Sequence, residues 1–177
     1  LKLDSKAKIL GMPKHKRWVL LANWLDRTLL RNCVSFNLAE RSGLAYTPRG
    51  QFVEVFINGI HKGNYFLCEH IKVDENRVNI DELEEDEIDG GYIMELDAYF
   101  DEVNKFKSEI KGLPYMFKDP DEVNEQQFGY ICNYVNEFEK ALYDETSFAS
   151  GEYREYIDME SFADWWLVME LTGIWEP

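Results

Sequence analysis

A chain of 177 residues, 45% hydrophobic with 5 Trp, 10 Tyr and 11 Phe, has enough apolar mass for one packed domain and too much for intrinsic disorder. Its formal net charge of -15 at pH 7 repels phosphate backbones, which argues against general nucleic-acid or anionic-membrane binding. No apolar run reaches membrane-spanning length, and Cys33, Cys68 and Cys132 lie too far apart to suggest a zinc site or a disulfide framework, so buried thiols are expected.

In chain order, Leu1 to Leu3 alternates as a strand does, and Trp18 to Leu21 is a short apolar strand preceded by the basic group Lys14, His15, Lys16 and Arg17, read as a solvated strand entrance. Asp26 then caps a predicted helix carrying Leu29, Leu30, Cys33 and Phe36 at helical spacing and stopping at Gly43. Phe52 to Glu69 reads as a hairpin turning at Asn58-Gly59, with a bulge at Gly63. An acidic run, Asp81 to Asp89, precedes Gly90-Gly91 and a strand Tyr92 to Asp97, and further short strands are expected around Lys105 to Ile110 and Tyr115 to Lys118. Asp119-Pro120-Asp121 starts a long predicted helix, with Phe128, Ile131, Val135, Phe138 and Leu142 on one face. The last helix, capped by Asp158, carries Phe162, Trp165, Trp166, Val168, Met169 and Leu171 around most of its circumference, the pattern of a central helix. Strands first and helices last predict an α+β fold in two lobes.

Few residues stand out as chemical groups. The acidic run fails as an EF-hand, because a loop begun at Glu85 ends on Leu96 where a bidentate acid is required, so it reads as a solvated loop. His15, His61 and His70 show no metal or triad spacing, and none is assigned as a base. Arg31, inside the first predicted helix, is either half of a structural ion pair or an anion-binding fork facing a phosphate. Glu69, Glu95 and Asp97 fall at strand ends, where scaffolds present ligand-contacting groups and also ordinary solvated acids. Glu95 and Asp97, two apart on a strand, share a face that suits a metal or a basic partner.

Taken together, Gly11-Met12-Pro13-Lys14, Trp18 to Asn23, Asp26 with Leu29-Leu30-Arg31-Asn32, Phe52 to Gly59, Gly63 to Glu69, Arg77 to Ile80, Gly90 to Asp97 and the Ser161 to Gly173 segment occur in an order that resembles the spore-coat-protein-H (CotH) kinases. The resemblance covers nearly the whole chain. It implies an atypical protein-kinase-like fold: a mainly antiparallel nucleotide-lobe sheet with one packed helix, followed by helices of a second lobe. On that basis residues 1–118 form the sheet-rich region and 119–177 begin the helical lobe of one incomplete kinase-like domain.

The resemblance further implies transfer of the ATP γ-phosphate to serine of exported or surface proteins, with ATP and a divalent metal such as magnesium as cofactors. Arg31 then faces the phosphates and Glu69 lies near the adenine side. The family's Gly-containing segment precedes the strand at Leu1 to Leu3, and its catalytic and metal-holding Asp segments follow the final helix. The chain is therefore expected to be a portion of such a kinase, inactive alone, with no catalytic or metal residue assigned within it. An export or cell-surface location follows from family habit, while the odd cysteine count weighs toward a reducing compartment. The alternative, a surface adhesin or binding module on the same fold, follows from relatives that act as adhesins.

Overall fold

The computed structural model describes residues 1–173 and divides into two units, one comprising 1–71, 76–78 and the segment from 160 onward, the other 72–75 and 79–159. The first unit is built on four antiparallel strands, β1 (Lys2–Ala7), β2 (His15–Leu21), β3 (Gly50–Ile57) and β4 (Ile60–Glu69), in the order β1-β2-β4-β3. Helix α1 (Arg31–Arg41) lies in sequence between the second and third strands. The β3–β4 turn forms at Asn58 and Gly59, whose φ values of 51° and 76° suit a two-residue hairpin turn, and the register slips beside Gly63, at the position expected for the bulge.

Strand β4 is one of the two inner strands, and Phe66, Leu67, Cys68 and Glu69 are all buried at its end. Alternation is lost there because both faces are covered. Phe66 packs beside Phe36 of α1 and Phe52 of β3, at centroid separations of 5.9 and 5.1 Å, while Leu67 joins Met12 and Trp18 in a separate cluster. Gly50 must lack a side chain, since a Cβ there would sit 2.5 Å from the Phe66 ring and 2.8 Å from Cys68 Cβ.

Helix α1 begins at Arg31, five residues after the expected cap. Leu29 adopts φ 61°, which no helix allows, so the chain turns once more before entering it. Asp26 still serves the helix end from upstream: its carboxylate accepts the Thr28 N–H at 3.0 Å and the Arg31 N–H at 2.8 Å. These bonds hold the Asp26 carboxyl below its ordinary range, with the Arg31 N–H the main cause and the Thr28 hydroxyl next. Asn23 braces the same turn by donating to the Leu29 carbonyl and accepting from Asn32 at 2.8 Å.

The second unit holds a three-stranded antiparallel sheet, β5 (Ile93–Leu96), β6 (Lys105–Lys107) and β7 (Pro114–Asp119), in the order β5-β7-β6. Helix α2 (Glu125–Tyr143) follows, then α3 (Glu145–Ser150) and a 3-10 turn at Glu152–Glu155. Helix α2 is capped at Asn124 and begins at Glu125 rather than at the Asp119-Pro120-Asp121 stretch, because Asn124 and Gln127 form a reciprocal capping box. Its face places Ile131 and Val135 against Phe117, with Phe106, Phe128 and Tyr115 around them. The result is an aromatic core in which Phe117 and Phe128 stack at 5.5 Å. Gly91 sits where a Cβ would meet the Asp81 carbonyl at 2.1 Å, so the Gly90-Gly91 pair lets the acidic run close back on the chain beside β5.

Helix α4 (Met159–Thr172) follows Asp158 as expected, but it is not a central helix. Of its apolar residues only Val168 is buried, while Phe162, Trp165, Trp166, Leu167 and Leu171 stay exposed. Apolar character on every side shows what a helix can bury; which side is covered depends on its neighbours. Cys68 alone of the three free cysteines is buried, Cys33 and Cys132 being half-buried. The architecture is mixed, with antiparallel sheets and several helices, in keeping with the α+β expectation.

Candidate functional site

The end of β4 delivers Glu69 into the interior of the first unit, where the residue is 2% exposed. A lone buried carboxylate is costly, so it needs cationic and hydrogen-bonded partners. Arg49 supplies both in a forked pairing: Nε donates to Oε2 at 2.9 Å and Nη2 donates to Oε1 at 2.9 Å. The Arg49 backbone N–H donates to Oε2 at 3.1 Å and the Tyr46 hydroxyl donates to the same oxygen at 3.3 Å. Arg77, itself 3% exposed, brings Nε to 4.0 Å from Oε1.

Arg77 is fixed independently by donating to the carbonyls of His70 and Arg17, and its guanidinium lies 5.3 Å from the centre of the Trp18 ring. Two guanidinium groups around one carboxylate leave a surplus of positive charge at the end of β4. Burial, and then the Glu69 charge, push the Tyr46 phenol far above its ordinary range and the Cys68 thiol up to about 11. That thiol is therefore an inert neighbour, since the thiolate is the reactive form.

Beside this cluster lies a cleft of about 410 Å³, walled by Met12 and Pro13, by Phe36 and Asn37 of α1, and by Thr47 and Arg49. Arg49 therefore joins the cleft to the buried carboxylate. The Thr47 hydroxyl is enclosed with no hydrogen-bond partner among the described residues. Nothing in this lining pairs a nucleophile with a base, so the arrangement suits binding rather than bond-making.

The structure places the two sequence-assigned residues differently. Glu69 is clamped by its own arginines, its oxygens occupied. Arg31 stands at the first position of α1 with its side chain 60% exposed and, among the described residues, Asp26 as its ion-pair partner, Nε lying 4.0 Å from Oδ1. Neither residue lines the cleft, and among the described residues no hydrogen bond or ion pair joins them. The open Arg31 fork suits a phosphate oxygen.

Glu95 has a basic partner, Lys118, whose Nζ lies 3.1 Å from it and 2.6 Å from Glu102. Asp97 accepts the Tyr99 N–H at 3.2 Å. Among the described residues no group of three or more His, Cys, Asp or Glu side chains is arranged to hold a metal ion, so no step is assigned to one here.

Sequence reasoning misses Arg49, Arg77 and Tyr46 as the setting of Glu69. The available signal is an acid at the end of an apolar strand, with arginines at the chain's loops; a buried acid demands such a partner, but spacing does not identify it.

A family model described as CotH kinase protein matches residues 1–175 of the chain. No curated protein matches it, and no solved structure does.

Proposed function

The chain belongs to the CotH kinase family, and from that premise we propose that it forms part of an atypical protein kinase that transfers the ATP γ-phosphate to serine residues of exported or surface proteins. The observation that carries this reading is the family match over residues 1–175. It is supported by the order strand, helix, hairpin around a four-stranded antiparallel sheet, which a kinase nucleotide lobe also uses. In this reading residues 1–118 contribute the sheet-rich nucleotide region and 119–177 begin the helical lobe.

Arg31 and Glu69 are the residues assigned to the nucleotide side. Arg31, exposed and only loosely paired, takes a phosphate oxygen. Glu69 acts through Arg49, which it holds at the edge of the cleft. Phosphoryl transfer is mostly positioning and charge stabilisation, and a divalent metal supplies part of that charge when bound. The present residues supply framework and phosphate contact, so the 177 residues alone are expected to be inactive.

Transfer of radiolabelled γ-phosphate from ATP to serine, measured on the intact protein carrying these residues, tests the activity. Arg31→Ala is expected to weaken nucleotide binding about ten-fold, in line with loss of a charge-assisted bond, and to leave the melting temperature unchanged. Equal loss of folding and binding would reduce Arg31 to a structural residue. An intact protein that binds no nucleotide, yet adheres to a surface, would favour the adhesin reading instead.

A further inference from the structure

The second unit contains a groove of about 350 Å³ along α2, lined by Tyr92, Met94, Tyr130, Ile131, Tyr134 and Val135. Tyr130 and Tyr134 are one helical turn apart, 37% and 42% exposed, and the rings run in a row with centroid separations of 6.2 Å from Tyr92 to Tyr130 and 6.4 Å from Tyr130 to Tyr134. The row is anchored by its hydroxyls. Tyr92 donates to the Ile88 carbonyl at 2.6 Å and Tyr134 donates to the Tyr156 carbonyl at 3.2 Å. With those hydroxyls engaged, what the row chiefly offers a ligand is its π faces.

Those faces lie in a negative field. The acidic run is pinned to the start of α2, where the Gln127 amide donates to the carbonyls of Glu84 and Glu87 at 3.2 and 2.9 Å and the Asn124 amide donates to that of Glu85 at 3.1 Å. Burial first, then Tyr130 and Asp89, push the Tyr92 phenol up. At the other end burial, followed by Glu137, Glu152 and Glu155, pushes the Tyr156 phenol up. The whole unit contains 25 acidic and seven basic residues.

Elsewhere in this unit three rings have a cation of the chain over them. Lys111 lies 3.9 Å from the Tyr143 centroid, Lys105 4.8 Å from that of Phe100 and Arg154 5.7 Å from that of Tyr153. Among the described residues no cation of the chain covers Tyr92, Tyr130 or Tyr134. A compact metal ion is a poor occupant, because the acids flank the groove and among the described residues gather no chelating set. A chain of methylenes between ammonium groups fits both features: the methylenes meet Met94 and Ile131, and the ammonium groups meet the ring faces and the flanking carboxylates.

We propose that this tyrosine groove is a binding site for a linear alkylammonium cation of the polyamine type. The site is independent of the nucleotide assignment above.

Calorimetric titration of the 177-residue chain with spermidine, and in parallel with hexaamminecobalt(III) at matched ionic strength, tests it, because the two cations share a charge but only one has methylenes. One equivalent of spermidine is expected to bind at least ten-fold tighter than the cobalt complex. Tyr130→Leu is expected to weaken it about three-fold, and Tyr130→Leu with Tyr134→Leu about ten-fold, as loss of exposed cation–π contacts predicts. Tyr134→Phe, which keeps the ring, should retain binding. In the unmutated chain, spermidine should shift the ring proton resonances of Tyr130 and Tyr134, a readout that needs no folded variant. Equal affinity for both cations, unaltered binding by Tyr130→Leu, or ring resonances that do not move would each overturn the proposal. Binding of a trilysine peptide with no response to spermidine would do so too.

Discussion

The two units handle charge in opposite ways. The first contains twelve basic and nine acidic residues and encloses an ion cluster, Glu69 between Arg49 and Arg77, at the end of β4. The second contains seven basic and 25 acidic residues, and its core is a set of stacked rings around Phe117 with most of the acids outside. The overall charge of -15 is therefore a property of one unit, the first being +3 and the second -18. A whole-chain charge argues against anionic partners as a general rule, yet it conceals a unit that is mildly basic and carries the open Arg31 fork.

The contrast breaks most sharply at Glu69. Glu69→Ala leaves two guanidinium groups without their enclosed counter-charge and is expected to destabilise the chain by roughly 3–5 kcal/mol, read from denaturant midpoints. A loss below about 1 kcal/mol would mean that water already reaches the cluster. In the second unit, Gly91→Ala forces a Cβ against the Asp81 carbonyl, and about 1–3 kcal/mol of destabilisation is expected, with faster amide exchange in the acidic run. Unaltered exchange would show that the run is not held by this close approach.

Salt gives a smaller effect of known sign. Raising the concentration from about 0.05 to 0.5 M screens like-charge repulsion across the -18 unit and should raise the melting temperature by about 2–4 °C, whereas the enclosed Glu69 cluster is screened little. A fall in melting temperature would place the dominant electrostatics in the first unit.

The smallest effect concerns Asp26. Its folded carboxyl is held below the unfolded value, so its stabilisation of the α1 entry is full above about pH 4 and is lost as pH falls through the folded value. Asp26→Asn should flatten the acid limb of the stability curve in that window; an identical limb would remove Asp26 from the account.

Several elements are legible in the order of residues alone. The hairpin announces itself because Asn58-Gly59 satisfies a backbone demand that few pairs meet, and the bulge at Gly63 follows from the same logic. Helix entries are less legible. Acids mark them at Asp26 and in the Asp119 to Asp121 stretch, whereas the helices begin at Arg31 and Glu125. At the first, a left-handed Leu29 delays the helix; at the second, the Asn124 and Gln127 side chains satisfy the open N–H groups better than the earlier acids. The last helix has the composition of a central one, and Trp166 at 50% exposure shows how little that pattern says about which face meets a neighbour.

The candidate site divides along the same line. The sequence by itself determined the family, the strand that ends in Glu69 and the acidic character of the region around 81–89, because these depend on residue type and spacing along the chain. Only the tertiary structure decided that Glu69 is clamped by Arg49 and Arg77, that Arg31 is open, and that Tyr92 joins Tyr130 and Tyr134 in one groove. Those pairings join residues 20, 8 and roughly 40 positions apart, and their formation is governed by burial and by the need to neutralise enclosed charge, which no local pattern encodes.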